Sequence, residues 1–175
     1  MAHILVIYEI RENKIKKTSL EATSLAVRLS GELGGTVSVL LMSSQVNHLT
    51  SLPGEYGAQK VYALQHADLE KHSPDVAARL IAEIARDISA THLLMGASAM
   101  GKDVMPRVAF YLNSPLAQDV IKLEVQQGKL FYTRPIIAGK LLAQISLQGE
   151  YQLVTILPNI FPAEKSPRTP EIIPL

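Results

Sequence analysis

Short aliphatic runs alternate with helical patterns through the first part of the chain. Leu, Ile and Val dominate each run, and polar or glycine-containing segments bound it, as they bound the buried strands of a sheet. The pattern therefore predicts four strands here, of which the third is the weakest: His3–Ile10, Thr36–Met42, Lys60–Leu64 and Ala90–Gly96.

Two amphipathic helices are predicted between these strands. The first is capped by Thr18 or Ser19, carries apolar residues at helical spacing and ends at Gly34–Gly35. The second has Ser73 as its cap and Pro74 at its first position, where the missing N–H costs nothing. Alternating strands and helices are typical of an α/β fold, so we expect a mostly parallel sheet flanked by helices. The apolar stripe of the second helix is Val76, Ala77, Leu80, Ile81, Ile84, Ala85 and Ile88.

The second half of the chain has a different pattern. A helix is predicted over about 102–112 and a further strand over Tyr151–Leu157. Beyond that strand five prolines recur, and proline neither continues a helix nor occupies a central strand. We therefore predict one domain over residues 1–162 and a proline-rich linker over 163–175. Between the helix and the last strand, hairpin-linked runs predict an antiparallel extension: Val120–Val125, Leu130–Thr133 and Leu141–Leu147.

Composition narrows the classes of function. The net charge of +1 gives no long-range field that would attract nucleic acid or anionic lipid. The absence of cysteine excludes disulfides and thiolate metal sites and fits a reducing compartment. The five histidines are scattered without a pair at metal-ligand spacing, and no apolar run approaches the roughly 20 residues of a membrane span. We therefore expect a soluble, cytoplasmic protein with no nucleic-acid partner, no membrane insertion and no bound metal.

The junction after the fourth strand is the most informative segment of the chain. In open parallel sheets, ligands bind beyond the carboxyl ends of the strands. Small residues there let backbone N–H groups approach a phosphate, and a helix N-terminus adds partial positive charge. The loop matches neither Gly-x-Gly-x-x-Gly nor the P-loop, so the alternative is a tight strand-to-helix turn with an aspartate that caps the helix. The candidate nucleotide-binding residues are Gly96, Ser98, Gly101, Lys102 and Asp103.

Two arginines stand in otherwise apolar surroundings. Arg107 lies one turn beyond Asp103, and Arg134 lies beside Pro135. Because an unpaired charge next to apolar surface is costly, we expect each arginine to pair with a carboxylate, within the domain or across an interface. No nucleophile and base stand at a convincing spacing anywhere in the sequence. We therefore predict no catalytic residues and no enzymatic activity.

Five segments of the sequence resemble the amino-terminal domain of the α subunit of electron transfer flavoproteins. They occur in the same order and at similar spacing as in that family, and they cover nearly the whole chain. The last of them ends with Pro-Asn-x-Phe-Pro. The segments are Ile4–Glu9, Gly57–Val61, Met95–Ala109, Tyr132–Lys140 and Leu153–Pro162.

The resemblance implies an α/β domain of Rossmann-like or adenine-nucleotide-hydrolase-like fold that packs against the β subunit of a heterodimer. In that family, FAD is gripped by a second domain beyond the proline-rich linker, so the chain is expected to lack the FAD-binding residues and FAD is expected only in the full-length assembly. The related β subunit holds AMP with the segment corresponding to Gly96–Arg107, whereas α subunits generally have this pocket filled. The resemblance therefore implies a vestigial nucleotide loop, beside which Met100 and Met105 are bulky.

Two hypotheses of function follow. The first is a non-catalytic scaffold and subunit-interaction domain of an electron transfer flavoprotein that shuttles electrons from dehydrogenases to an acceptor. In it, the extension over Asp119–Leu147 helps to form the subunit contact. The alternative is a stand-alone module of the universal-stress type that binds AMP or ATP at the loop that begins at Gly96.

Overall fold

The computed structural model describes residues 1–71 and 73–175, so His72 lies outside the described residues. The α-helices are α1 (Lys17–Leu33), α2 (Leu52–Glu55), α3 (Pro74–Asp87) and α4 (Ala99–Tyr111), and short 3₁₀ turns lie at Asn47–Leu49 and Ala67–Lys71. The strands are β1 (His3–Ile7), β2 (Ile10–Arg11), β3 (Lys14–Ile15), β4 (Thr36–Ser43), β5 (Lys60–Gln65), β6 (His92–Gly96), β7 (Leu116–Val120), β8 (Lys122–Gln126), β9 (Lys129–Ile136), β10 (Leu141–Ile145), β11 (Gln152–Ile156) and β12 (Glu171–Pro174).

Seven of these strands form one parallel sheet, in the order β12-β5-β4-β1-β6-β11-β7. Successive residues of the central strand β1 point to opposite faces, so Ile4 and Val6 pack on one side and Leu5 and Ile7 on the other. Helix α1 covers the first of these faces, and α3 and α4 cover the second. The predicted α/β fold with a mostly parallel sheet flanked by helices is confirmed.

A second, antiparallel sheet has the strand order β10-β9-β8. It packs on the same core as α1 through the buried side chains of Leu123, Leu130 and Tyr132. The antiparallel extension is thus confirmed, but the prediction of a single strand over Val120–Val125 is wrong. Its first residue ends β7, an edge strand of the parallel sheet, Ile121 lies between the strands, and the remaining residues belong to β8. A bulge precedes the break, since Asp119 has a φ of 58° and the β7–β11 register shifts there.

The helix boundaries correct three further predictions. Helix α1 begins two or three residues earlier than a cap at Thr18 or Ser19 predicts, with Lys16 at the N-cap position and no side-chain cap. Ser19, predicted as a possible cap, is buried, and its Oγ accepts the backbone N–H of Glu9 at 3.0 Å. In α3 the cap at Ser73 is confirmed. Val76, predicted in the core stripe of α3, is 50% exposed, because the buried face is formed by Ala78, Ile81, Ala82, Ile84 and Ala85.

The proline-rich segment at the end of the chain lies along the body of the domain. Glu164 exchanges two hydrogen bonds with Ser24, of 2.9 and 3.0 Å, and β12 pairs in parallel with β5 at the edge of the sheet. An edge strand tolerates proline because one of its sides needs no donor. The segment predicted as a linker therefore carries an edge strand, and the domain boundary at residue 162 stays a prediction.

Two histidines lie at the amino ends of neighbouring strands. The His3 ring bonds the carbonyl of Ile88 and the hydroxyl of Ser38, at 2.9 and 2.8 Å, as expected of a satisfied structural imidazole. Burial lowers the pKa of His3, and burial lowers the pKa of His92 to about 4. Both rings are therefore neutral in the folded protein at neutral pH.

The buried ring of His92 predicts a loss of stability in mild acid. Between pH 6.5 and about 4 the unfolded chain binds a proton at this residue that the folded chain does not, so the free energy of unfolding falls as the pH is lowered. We expect His92→Gln to lose less stability than wild type between pH 7 and 4.5, by at most about 2 kcal/mol. Urea unfolding at the two pH values measures this difference. His48→Gln, at an exposed histidine, is the control, and an equal effect there would contradict the assignment.

Candidate functional site at the carboxyl end of the sheet

The turn that follows β6 is shorter than the sequence suggested. Helix α4 begins at Ala99, and Ser98 is its N-cap, whose Oγ accepts the backbone N–H of Gly101 at 3.1 Å. The predicted helix start at about Lys102 is therefore wrong, because the serine hydroxyl already satisfies the first free N–H groups. Of the five candidate residues, Gly101, Lys102 and Asp103 lie inside the first helical turns, and the cap is Ser98 instead of Asp103.

The two glycines of this junction are packed against their neighbours. A Cβ added at Gly101 would lie 1.9 Å from the carbonyl oxygen of Gly96, and one added at Gly96 would lie 2.7 Å from Oγ1 of Thr18. Strand β6, the start of α4 and the start of α1 thus meet at van der Waals distance. The glycines are required for this close approach, because neither position has room for a Cβ.

The lysine of the predicted phosphate site has an intramolecular partner. Lys102 Nζ lies 3.1 Å from Oδ1 of Asp119, without the alignment of a hydrogen bond, so the contact is an ion pair. The bulge in β7 turns Asp119 toward α4, and its backbone N–H donates to Oγ1 of Thr155 at 3.1 Å. Because both charges are partly exposed, the pair contributes little to stability. Its consequence is electrostatic, since a carboxylate neutralises the lysine that an anionic ligand would need.

Asp103 and Arg107 pair with each other along α4. Oδ1 of Asp103 accepts from both Nε and Nη2 of Arg107, at 3.2 and 3.1 Å. The expectation that this arginine meets a carboxylate is therefore confirmed for a partner four residues earlier. Both side chains are about half exposed, so the pair is a surface contact of the helix. Whether Arg107 also belongs to a subunit interface stays a prediction.

A buried carboxylate closes the neighbouring part of this sheet end. Glu21 is fully buried in α1, and its Oε2 accepts the backbone N–H of Asn159 at 3.0 Å just beyond the end of β11. Lys17 Nζ lies 3.3 Å from the other oxygen of Glu21 and donates to Oδ1 of Asn159 at 3.2 Å. This network holds the chain that leaves β11 against the first turn of α1. It occupies a second place where an open α/β sheet would expose a ligand site.

A hydroxyl chain lies beneath this carboxylate. Tyr8 donates to Oγ1 of Thr23 at 2.8 Å, and that hydroxyl donates to the carbonyl of Ser19 at 2.9 Å. Burial raises the pKa of Tyr8, which keeps the phenol protonated and able to donate. These groups satisfy one another and therefore serve the junction between β1 and α1.

Arg134, the second predicted interface residue, lies on β9 and is half-buried. Its Nε is buried without a hydrogen-bond partner in the described part of the chain. Its place in the strand pair is opposite Ala143 of β10. The structure does not bring Arg134 together with the residues of the β6–α4 junction.

The described residues at this sheet end do not fit a dinucleotide such as FAD. The glycine junction is filled, its lysine is paired, and the adjoining β11 exit is occupied by Glu21 and Asn159. A surface depression of about 510 Å³ lies elsewhere, beside Phe110, and no charged side chain lines it. Within residues 1–71 and 73–175, no three acidic or histidine side chains converge as metal ligands would, and no helix is long and apolar enough to cross a bilayer.

The architecture is that of an α/β domain with a closed sheet end and an added antiparallel sheet. The chain belongs to the electron transfer flavoprotein family, because the family model described as "Electron transfer flavoprotein domain" matches residues 4–174. Relatives include protein FixB of Clostridium saccharobutylicum, 34% identical over 161 residues, and the electron transfer flavoprotein subunits alpha of Megasphaera elsdenii and Bacillus subtilis, 30% and 28% identical. The resemblance to α subunits is therefore confirmed.

The chain spans about half the length of the curated relatives it matches. The three alignments cover 90%, 90% and 89% of this chain, in the order given, but 48%, 48% and 47% of the relatives. Similarity alone therefore does not assign the activity of those whole proteins to this chain.

Sequence reasoning missed three residues that decide the character of the site. The sequence predicts Thr18 only as a possible helix cap and Asp119 only as the start of the extension, and it predicts no role for Glu21. A glutamate between alanines and leucines on the apolar side of α1 was a detectable signal. Nothing in the sequence links Asp119 to Lys102, because a bulge brings them together.

Proposed function

We propose that the chain is a non-catalytic scaffold and subunit-interaction domain of an electron transfer flavoprotein, acting in the cytoplasm. It contacts the β subunit of that flavoprotein, and the FAD that carries electrons from dehydrogenases to an acceptor is held outside this segment. The family match and the names of the α-subunit relatives support the assembly. The occupied sheet end supports a role without a bound cofactor.

The proposal rests mainly on the position of the exposed apolar side chains. Ile137, Leu141 and Leu142 are 63%, 54% and 62% exposed, and all three lie within one hairpin of the antiparallel sheet. Exposed apolar residues that cluster usually mark an interaction site. The extension is therefore the surface best suited to a subunit contact, whereas the usual ligand position of the fold is filled.

The alternative function is a stand-alone AMP or ATP module, which would use the Gly96 junction instead of the antiparallel sheet. It requires a phosphate to bind at the Gly96 junction, where the strand and the two helix starts are packed so closely that neither glycine has room for a Cβ. It also requires Lys102 to leave Asp119. No contact in the described residues favours this function.

Mixing the full chain with the electron transfer flavoprotein β subunit of the same organism tests the proposal. Light scattering after size-exclusion chromatography is expected to find a one-to-one complex, heavier than the β subunit by the 19.1 kDa of this chain. Separate elution of the two proteins would contradict the subunit-interaction role. Addition of FAD is expected to leave the isolated chain colourless after gel filtration, and a yellow chain would contradict the claim that the flavin is held elsewhere.

A further inference from the structure

The hairpin between β9 and β10 projects beyond the rest of its sheet. Strand β8 pairs with β9 only as far as Thr133, whereas β10 continues the pairing to Ile136. Residues 134–143 therefore form a two-stranded ribbon without a third strand, which we call the arm. Strand β10 is also an edge, since it pairs only with β9 among the described strands. Isolated two-stranded ribbons are marginal in water, so an arm of this kind gains from a partner.

The arm is apolar on both of its faces. The register sets Leu141 opposite Ile136 on one face and Leu142 opposite Pro135 on the other. Leu141 and Leu142 are each more than half exposed. A strand that lies on a single surface has one apolar and one polar face, so apolar residues on both faces indicate a ribbon that is enclosed.

The tip of the arm is conformationally strained. Ile137 and Ala138 have φ values of 49° and 52°, in the left-handed region, and the side chain of Ile137 is 63% exposed. A β-branched residue in this conformation is unfavourable, and an exposed position offers no packing to offset the cost. The strain belongs to the same ten residues as the two apolar faces, which supports a function for the arm beyond stability of this domain.

The charge of the arm restricts its partner. Arg134 and Lys140 are basic, and the arm contains no acidic residue. The buried Nε of Arg134 lacks an acceptor in the described chain, and a buried donor without an acceptor costs about 1–3 kcal/mol. Nε itself is covered by this domain, so a partner reaches the guanidinium at its Nη atoms, which make no hydrogen bond in the described chain, and a carboxylate suits them best.

From these observations we infer that the arm inserts into an apolar cleft of a partner protein, which covers both faces and presents a carboxylate to Arg134. The inference rests on the proposed function, in which that protein is the flavoprotein β subunit. The free backbone groups of β10 need hydrogen-bond partners that another polypeptide supplies and lipid chains do not. A second copy of this chain would set Arg134 and Lys140 against the same charges, which disfavours self-pairing.

Single-cysteine variants test enclosure directly, because the chain contains no cysteine. Leu141→Cys and Leu142→Cys place one thiol on each face of the arm, and Val76→Cys is a matched control on α3, exposed by 50% in wild type. Alkylation by iodoacetamide is followed with and without the β subunit. We expect both arm cysteines to react about tenfold more slowly in the complex, while the rate at residue 76 stays unchanged.

The possible results separate the inference from the proposed function. If a complex forms and only one arm face is protected, or neither is, the inference is wrong while the subunit role stands. If no complex forms, both fail. Equal protection of both faces by phosphatidylglycerol vesicles, or by raising the concentration of this chain alone, would also overturn the inference, because the occupant would then be lipid or a second copy.

A substitution series tests the carboxylate. Arg134→Lys keeps the charge but removes the Nη groups that a carboxylate binds, and we expect it to weaken binding of the β subunit about tenfold. Arg11→Lys, at an exposed arginine of β2, is the control and should bind as wild type does. Equal affinity of Arg134→Lys and wild type would exclude a carboxylate at this position.

Discussion

Replacing Gly101 by alanine is expected to destabilise the domain by about 3 kcal/mol. The new Cβ would lie 1.9 Å from the carbonyl oxygen of Gly96, and neither backbone atom can move without shifting β6 or α4. This cost exceeds the gain of up to about 1 kcal/mol that alanine normally brings to a helix. Urea unfolding followed by circular dichroism measures the difference in free energy.

The matched control is Gly31→Ala. Gly31 also lies inside a helix, but a Cβ there would meet no atom within 4 Å, so the substitution is expected to stabilise by about 0.5–1 kcal/mol. The two variants thus make the same chemical change with opposite expected signs. Wild-type stability of Gly101→Ala would mean that the junction between β6 and α4 is loose, and the argument against a ligand there would fail.

Removing residues 163–175 is expected to cost about 3 kcal/mol and to promote association of the shortened chain. The segment supplies β12, which covers the edge of β5, and the backbone N–H groups of Ser166 and Arg168 donate to the carbonyls of Glu55 and Gly54, each at 2.9 Å. Its removal exposes the edge of β5, a template for pairing with other chains. Urea unfolding and light scattering measure the two effects.

A point variant keeps residues 163–175 in the chain but should prevent them from packing on the domain. A Cβ at Gly54 would lie 2.5 Å from both the carbonyl oxygen of Arg168 and Cδ of Pro170, so Gly54→Ala should displace the segment. We expect part of the loss that deletion causes, with Gly31→Ala again as the control. If the chain that ends at Pro162 were as stable as the full chain, the segment would be a linker, as its prolines suggested.

The order of strands and helices was predictable because burial imposes a period on the sequence. Strands covered on both faces are continuous aliphatic runs, as in Ile4–Ile7, and helices covered on one face repeat their apolar residues every three or four positions. The start of α3 was predictable from Ser73 and Pro74, because the signals for a helix N-terminus lie in adjacent residues.

The errors in the fold have non-local causes. The run that begins at Val120 is interrupted at Ile121, just after a bulge at Asp119 that forms where β7 pairs with β11, more than thirty residues later. The proline-rich segment forms β12 because Gly54 and Gly57 leave room for it, which its own composition does not reveal. Val76 matches the helical period but lies at the first turn of α3, where the helix extends beyond the sheet core.

The place of the candidate residues beyond the carboxyl end of β6 was predictable, but their residue types alone do not determine the chemistry there. Glycines and a serine before a helix are compatible with a phosphate loop and with a packed, capped turn. Two contacts between distant parts of the chain favour the packed turn: Thr18 packs on Gly96, and Asp119 forms an ion pair with Lys102. The assignment of the five candidate residues to nucleotide binding therefore stays a prediction, and the packing argues against it.

Calorimetric titration of AMP into the full chain tests the central claim, that the carboxyl end of this sheet is closed by packing. A fold that binds ligand only in its native state is stabilised by it, so a parallel thermal unfolding scan with AMP, ATP and FAD gives an independent reading. The account predicts no saturable heat and no change in unfolding temperature. Saturable binding of AMP that is lost in Lys102→Ala would contradict it, because the Gly96 junction would then be an open nucleotide site.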